Sequence, residues 1–175
     1  MAHTLNFDNS HSRIGFTVKH MMFAKVKGSF QEWTGDFTYD PSNPEASKVN
    51  VTIQAASIET GNGDRDAHLK SGDFFDAEKF PTLNFKSTKF QKQGNALTIE
   101  GELTIRDVTK PVTITAEETG TGVDPWGNKR IGFAGSTSIN RKDFGLTWNQ
   151  ALEAGGVLVG ENVDIDIEVQ TVVAG

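Results

Sequence analysis

The sequence predicts a mainly β protein: an antiparallel sheet of about eight strands closed into a barrel, with one short helical segment near residues 62–78. Three observations carry this. Apolar and polar residues alternate with period two along most of the chain, as half-buried strands require. Pro, Gly and Asn cluster between the alternating runs, where tight turns need them. Several runs are long and regular, with one apolar and one polar face, which favours a closed barrel over a β-sandwich, the alternative architecture.

The elements follow in order. Ile14, Phe16, Val18 and His20 share one face of the first run, and Arg13, Thr17 and Lys19 take the other. Val26, Gly28 and Phe30 fall in one phase, then Trp33, Gly35, Phe37 and Tyr39. DPSNP at 40–44 turns the chain. Val49, Val51, Ile53 and Ala55 alternate with Asn50, Thr52 and Gln54. Leu97, Ile99, Gly101, Leu103 and Ile105 alternate with polar neighbours, and RDVTKP at 106–111 joins this run to Val112, Ile114 and Ala116. DPWGN at 124–128 precedes Ile131, Phe133, Gly135, Thr137 and Ile139. NQALEAGGVLVGE at 149–161 reads as a mobile Gly-rich loop forming a lip, and it leads into Val163, Ile165, Ile167 and Val169. The glycines set among large inward residues have two readings: bends at barrel corners, or absent side chains that leave the interior hollow. A barrel of about eight strands is at the size where side chains either fill it or leave room for one ligand.

The stretch GNGDRDAHLKSGDFFDAEKFP at 61–81 breaks the alternation. Asn62 or Asp64 can cap a helix, Asp64 and Asp66 suit the positive end of its dipole, and Gly72 can stop it. A second turn, closed by Phe80 before Pro81, follows. Asp64 and His68 share a helix face, and Asp73 and Asp76 could add carboxylates. A catalytic zinc site, however, commonly uses two or more His, and one is local here. A capped, solvated helix accounts for the charges, with Leu69, Phe74, Phe75 and Phe80 facing one end of the barrel as a plug or gate.

Composition sets limits. The 175 residues suit one domain, 1–175. The net charge is −6 without a basic run, so no nucleic-acid partner is expected. With no cysteine there is no disulfide, Cys-ligated metal or thiol catalysis. No apolar run is long enough for a membrane span. The first residues lack the basic and apolar regions of a signal peptide, which places the chain in the cytoplasm as written, or in the periplasm if it is a mature fragment. No G-x-S-x-G elbow or dinucleotide fingerprint is present, and no cofactor is expected.

Five segments in order resemble one family over nearly the whole chain: HSRIGFTVKHMMFAKVKGSF, DRDAHLKSGDFFDAEKFP, GELTIRDVTKPV, DPWGNKRIGF and INRKDFGL. They are similar to the YceI-like proteins, lipocalin-like and linked to polyisoprenoid binding. The resemblance implies an extended eight-stranded antiparallel barrel with a helical segment near one end. It also implies an interior that holds a long-chain isoprenoid, quinone or fatty-acyl lipid, with no catalytic residues to carry over.

Both lines point to a lining drawn from Phe16, Val18, His20, Val26, Phe30, Trp33, Phe37, Leu83, Phe85, Ile99, Leu103, Phe133, Ile139 and Trp148, for which ordinary core packing is the competing explanation. His20 is the candidate for a polar head group, with Arg13, Arg65 and Arg141 as weaker ones. The expected function is non-catalytic binding, storage or transport of such a lipid. The alternatives are an enzyme on that lipid, a metal-dependent enzyme using the Asp64/His68 region, or a module binding protein through strand edges. A homodimer is among the states left open.

Overall fold

The computed structural model describes residues 2–152 and 156–174. In chain order the elements are β1 (His3–Phe7), β2 (Arg13–His20), β3 (Ala24–Phe30), β4 (Trp33–Tyr39), β5 (Lys48–Gln54), β6 (Ile58–Glu59), α1 (Gly63–Lys70), β7 (Thr82–Gln93), β8 (Ala96–Ile105), β9 (Val108–Val123), β10 (Lys129–Asn140) and β11 (Val159–Val173). Strands β1, β4, β5, β7, β8, β9, β10 and β11 pair antiparallel in that order, and β11 returns to β1, closing an eight-stranded barrel.

The remaining strands extend this wall. β11 pairs with β1 through Thr171–Val173 and with β2 through Val159–Glu168, so β1 and β2 are one wall strand broken by a 3₁₀ turn at Asn9–His11. β3 and β4 are likewise one strand broken at Gln31 and Glu32, and β5 continues into β6 past a 3₁₀ turn at Ala55–Ser57. The breaks are tied across the sheet. The Gln31 amide donates to the Ser57 carbonyl (3.1 Å) and the Gln54 amide to the Glu32 carbonyl (2.9 Å). Asn9 Nδ2 donates to the Trp33 carbonyl (2.8 Å). Beyond this level β6 pairs with β3 alone, while β7 pairs with β5.

The segment that links β6 to β7 is α1 followed by a string of turns. The Asn62 side chain accepts from the Arg65 amide (3.1 Å), as an N-cap should, with Asp64 and Asp66 in the first turn. The helix ends at Ser71 rather than Gly72, because the Ser71 amide and hydroxyl both donate to the His68 carbonyl. Phe74 is buried, and Leu69, Phe75 and Ala77 pack against the core, with Phe75 edge-on to Phe30.

Two further points differ from the sequence expectation. β1 was not anticipated, being short and adjacent to the chain start. The β8–β9 joint is narrower than RDVTKP: Arg106 and Asp107 form the turn, with Arg106 at φ 58°, and Ile105 already pairs with Val108. Pro111 is tolerated inside β9 because that part of the strand pairs with β8 only; pairing to β10 spans Thr115–Val123.

One end of the barrel is solid. Tyr39, Phe90 and Thr171 are fully buried, with Leu97 and Leu5 nearly so. Phe133 packs 5.2 Å from Phe37 and edge-on to Tyr39 at 5.3 Å. The polar atoms are satisfied: Tyr39 Oη donates to Glu118 Oε2 (2.5 Å) and Thr171 Oγ1 to the Ile131 carbonyl (2.9 Å).

Candidate functional site

Above this plug the barrel is hollow. A cavity of about 590 Å³ runs between the solid end and α1, within the usual range for small-molecule sites of roughly 300–1,000 Å³. Its wall is made by the inward face of the alternating strands, so it is overwhelmingly aliphatic and aromatic. Apart from Thr137, the polar residues that reach it belong to one end: Lys19, His20, Asn62, Asp64, Arg65, His68 and Arg141.

All fourteen residues selected from the sequence lie on this wall. The register explains why. Val18 sits opposite Val163, which sits opposite Ile139, so an inward residue on one strand forms a rung with inward residues on its neighbours. Phe16, Val18, Val26 and Ile139 are only half-buried, because their side chains face empty space. The selection missed Phe7, on the unanticipated β1, while Leu69, Phe74 and Phe75, expected to face one end of the barrel, complete the lining there. It also missed Val163, Ile165 and Ile167, which the alternation of β11 was sufficient to add.

The glycines do not hollow the barrel at their own positions. A Cβ on Gly28 would lie 2.4 Å from Phe16 Cζ, one on Gly101 2.5 Å from Phe85 Cζ, and one on Gly35 2.9 Å from Phe7 Cε2. At these three positions a neighbouring ring occupies the space that a Cβ would take.

The polar candidates separate. His20 reaches the cavity and makes no side-chain hydrogen bond among the described residues. Arg13 is on the outer face, where Nη1 pairs with Asp166 (2.9 Å) and Nη2 donates to the Gly28 carbonyl, so it is not a head-group residue. Arg141 is only 3% exposed and committed elsewhere: its guanidinium donates to the carbonyls of Gly160 (2.8 Å), Leu146 (2.7 Å), Trp148 (2.8 Å) and Val159 (3.2 Å). Burial pushes its pKa below the ordinary arginine value. Arg141 is thus a buried clasp for the crossing into β11 rather than a head-group residue. Arg65 is tied to Thr60 through Nε and Nη2 at the rim.

Arg141 fastens the segment expected to be a mobile loop. The described part of 149–161 is a small hairpin: Asn149 and Val159 exchange two hydrogen bonds, the Leu158 amide donates to the Gln150 carbonyl (2.8 Å), and Ala151 bridges Val157. Residues 153–155 of that stretch lie outside the described residues. Trp148, Leu158 and Val159 reach the cavity, so the segment forms a lip as expected.

His68 pairs with Asp73 (Nε2 to Oδ2, 2.9 Å) and lies edge-on to Trp148 at 4.6 Å and to Phe74 at 5.1 Å. This is a rim contact joining α1 to the lip. Among the described residues no group of three or more His, Cys, Asp or Glu is arranged to hold a metal ion, so the Asp64/His68 metal alternative has no ligand set. No helix among the described residues is long and apolar enough to cross a membrane.

Against known proteins the likeness is extensive. The model of the YceI-like domain matches residues 5–171. Protein YceI of Salmonella newport is 44% identical over 140 residues, spanning 80% of this chain and 73% of that protein. The crystal structure of a Campylobacter jejuni YceI protein is 31% identical, covers 90% of each chain and aligns with a TM-score of 0.77. A polyisoprenoid binding domain from Saccharophagus degradans, implicated in plant cell wall breakdown, shares the fold at a TM-score of 0.69 and 12% identity, over 98% of this chain and 99% of that one. With this barrel, this helix and these matches, the chain belongs to the YceI-like family.

Proposed function

We propose that the barrel binds a long-chain apolar lipid (a polyisoprenoid, an isoprenoid quinone or a fatty-acyl species) for storage or transport, without chemistry on it. The observation that carries this is the cavity: about 590 Å³ of space whose polar residues, Thr137 aside, are gathered at one end. An apolar chain entering it leaves water at about 0.8 kcal/mol per CH₂, and several isoprene units supply ample driving force before ordering costs are subtracted. Deep in the cavity nothing fixes one chain chemistry over another, so chain length and head group set selectivity. The polar end is where a head group would remain, with His20 the side chain best placed to meet it. The polyisoprenoid binding described for the Saccharophagus domain supports the same class of cargo.

The test is native mass spectrometry of protein purified without detergent, followed by organic extraction. A released prenyl, quinone or acyl species at up to one per chain is the expected result. Protein that carries no lipid and takes none up from added ubiquinone or palmitate sinks the proposal.

A further inference from the structure

We propose that the tip of the β2–β3 hairpin docks on an anionic lipid bilayer and brings the polar end of the cavity to the membrane surface. Three consecutive apolar residues form this tip: Met21, Met22 and Phe23, the last 83% exposed. Met21 and Met22 both have left-handed backbone, with φ of 53° and 70°. That conformation suits Gly or Asn and is strained for methionine. A turn of this shape is filled with large apolar side chains at a cost in stability, which points to a use for those side chains outside the fold.

The charges beside the tip indicate what it meets. Lys19 sits opposite Lys25 across the hairpin, and Lys27 sits opposite Thr17. All three lysines are exposed, Lys19 at the mouth of the cavity, and none makes an ion pair among the described residues. Of the nearby carboxylates, Asp166 pairs with Arg13 and Glu161 with Lys142, and Asp164 accepts from the Ser138 hydroxyl. On a chain of net charge −6, this hairpin thus carries three lysines with no ion pair among the described residues directly behind an apolar tip. Apolar insertion together with basic attraction is the recognition mode of an anionic membrane surface.

A second exposed apolar tip sharpens the assignment. Trp126 is 80% exposed and Val123 72%, in the β9–β10 turn at the solid end. There the adjacent Arg130 is neutralised between Asp8 (2.7 Å) and Asp124 (2.8 Å), and the interior behind it is plugged. The β2–β3 tip, by contrast, is continuous with the cavity. His20 lines it, the Met21 amide donates to the carbonyl of Leu158, another wall residue (2.8 Å), and Met22 lies against the lip at Gly156.

The inference rests on the lipid-cargo reading for its purpose but is measured independently of cargo. The probe is co-sedimentation with phosphatidylcholine vesicles, with and without phosphatidylglycerol. Binding is expected to the anionic vesicles only and to weaken with salt. Lys19→Glu combined with Lys25→Glu should lower partitioning at least about tenfold, since each basic residue near an anionic surface is worth about 1 kcal/mol. Met21→Asn/Met22→Gly/Phe23→Ser should abolish it while leaving Tm unchanged or raised, because the first two changes relieve left-handed strain. Trp126→Ser should bind as the parent does. Equal binding by the tip variant, or loss with Trp126→Ser alone, overturns the proposal. So does a concentration-dependent dimer that Phe23→Ser dissolves, without vesicle binding, since the tip would then meet a second copy. Protein that yields lipid on extraction yet ignores vesicles overturns the docking and leaves the cargo reading standing. Protein that binds anionic vesicles but never holds lipid supports the docking and contradicts the cargo reading.

Discussion

The two ends of this barrel are built from the same alternating strands and have opposite properties. At the solid end Tyr39, Phe90, Leu97, Leu5 and Thr171 fill the bore, and each polar group has its partner. At the other end the inward residues Phe16, Val18, Val26 and Ile139 are of similar size, yet they surround space. The difference lies in what the aromatic rings meet. Phe133 packs tilted against Phe37 and edge-on to Tyr39, whereas the ring tips of Phe16 and Phe85 approach Gly28 and Gly101. One end supplies stability and the other supplies volume, and variants should separate the two.

The largest effect is expected at the plug. Phe90→Ala should cost about 3–5 kcal/mol in denaturant unfolding, because the site is enclosed and cannot collapse. A loss under 1 kcal/mol would show that the two ends are not distinct. Next, Gly101→Ala should cost about 1–3 kcal/mol by overpacking, since the new Cβ would meet the Lys86 carbonyl at 2.6 Å as well as the Phe85 ring. Phe16→Ala, on the hollow side, should cost only about 1–2 kcal/mol, with no new cavity to add to the transfer loss. It should nevertheless reduce lipid retained through purification. Smallest in stability is the filled variant Val18→Phe/Ile139→Phe: its Tm should match the parent's while lipid content falls.

The most strongly depressed carboxylates lie at the solid end. Ser10 and then Arg130 hold the Asp8 carboxyl well below the ordinary carboxylate range. Arg130 also holds Asp124 at about 2, against an ordinary 3.8. Both groups are depressed on folding, so their contribution is complete above about pH 4 and is lost as pH falls through about 2. At alkaline pH the sign reverses. Burial, then the Glu118 bond, raises the Tyr39 phenol, so stability is complete below pH 10 and is lost above it as the unfolded chain ionises first. Arg130→Met should flatten the acid limb in a Tm-against-pH series, and Tyr39→Phe the alkaline one.

The wall was legible in the sequence because a closed sheet leaves an inward residue nowhere else to point. Alternation therefore placed Phe16, Ile99 and Phe133 alike. It could not separate plug from cavity, because Tyr39 and Phe37 carry the same period-two signal, yet Tyr39 is fully buried in the solid end and Phe37 lines the cavity. The cap at Asn62 and the inward Phe74 were readable from local chemistry. Arg141 was not: its four carbonyl partners come from residues 146, 148, 159 and 160, and no local pattern announces them. The exposed Met21–Phe23 tip was hidden for another reason. In sequence no Pro, Gly or Asn marks a turn there, and only the left-handed backbone puts it outside.

The contrast between the ends is tested most directly by tryptophan quenching with a brominated fatty acid. Of the three tryptophans, Trp33 and Trp148 line the cavity and Trp126 is exposed at the solid end. In the Trp126→Phe protein, emission should be quenched in a saturable titration ending at one ligand per chain. Prior filling by Val18→Phe/Ile139→Phe should remove the effect. Unsaturable quenching that the filled variant shares would contradict an interior site.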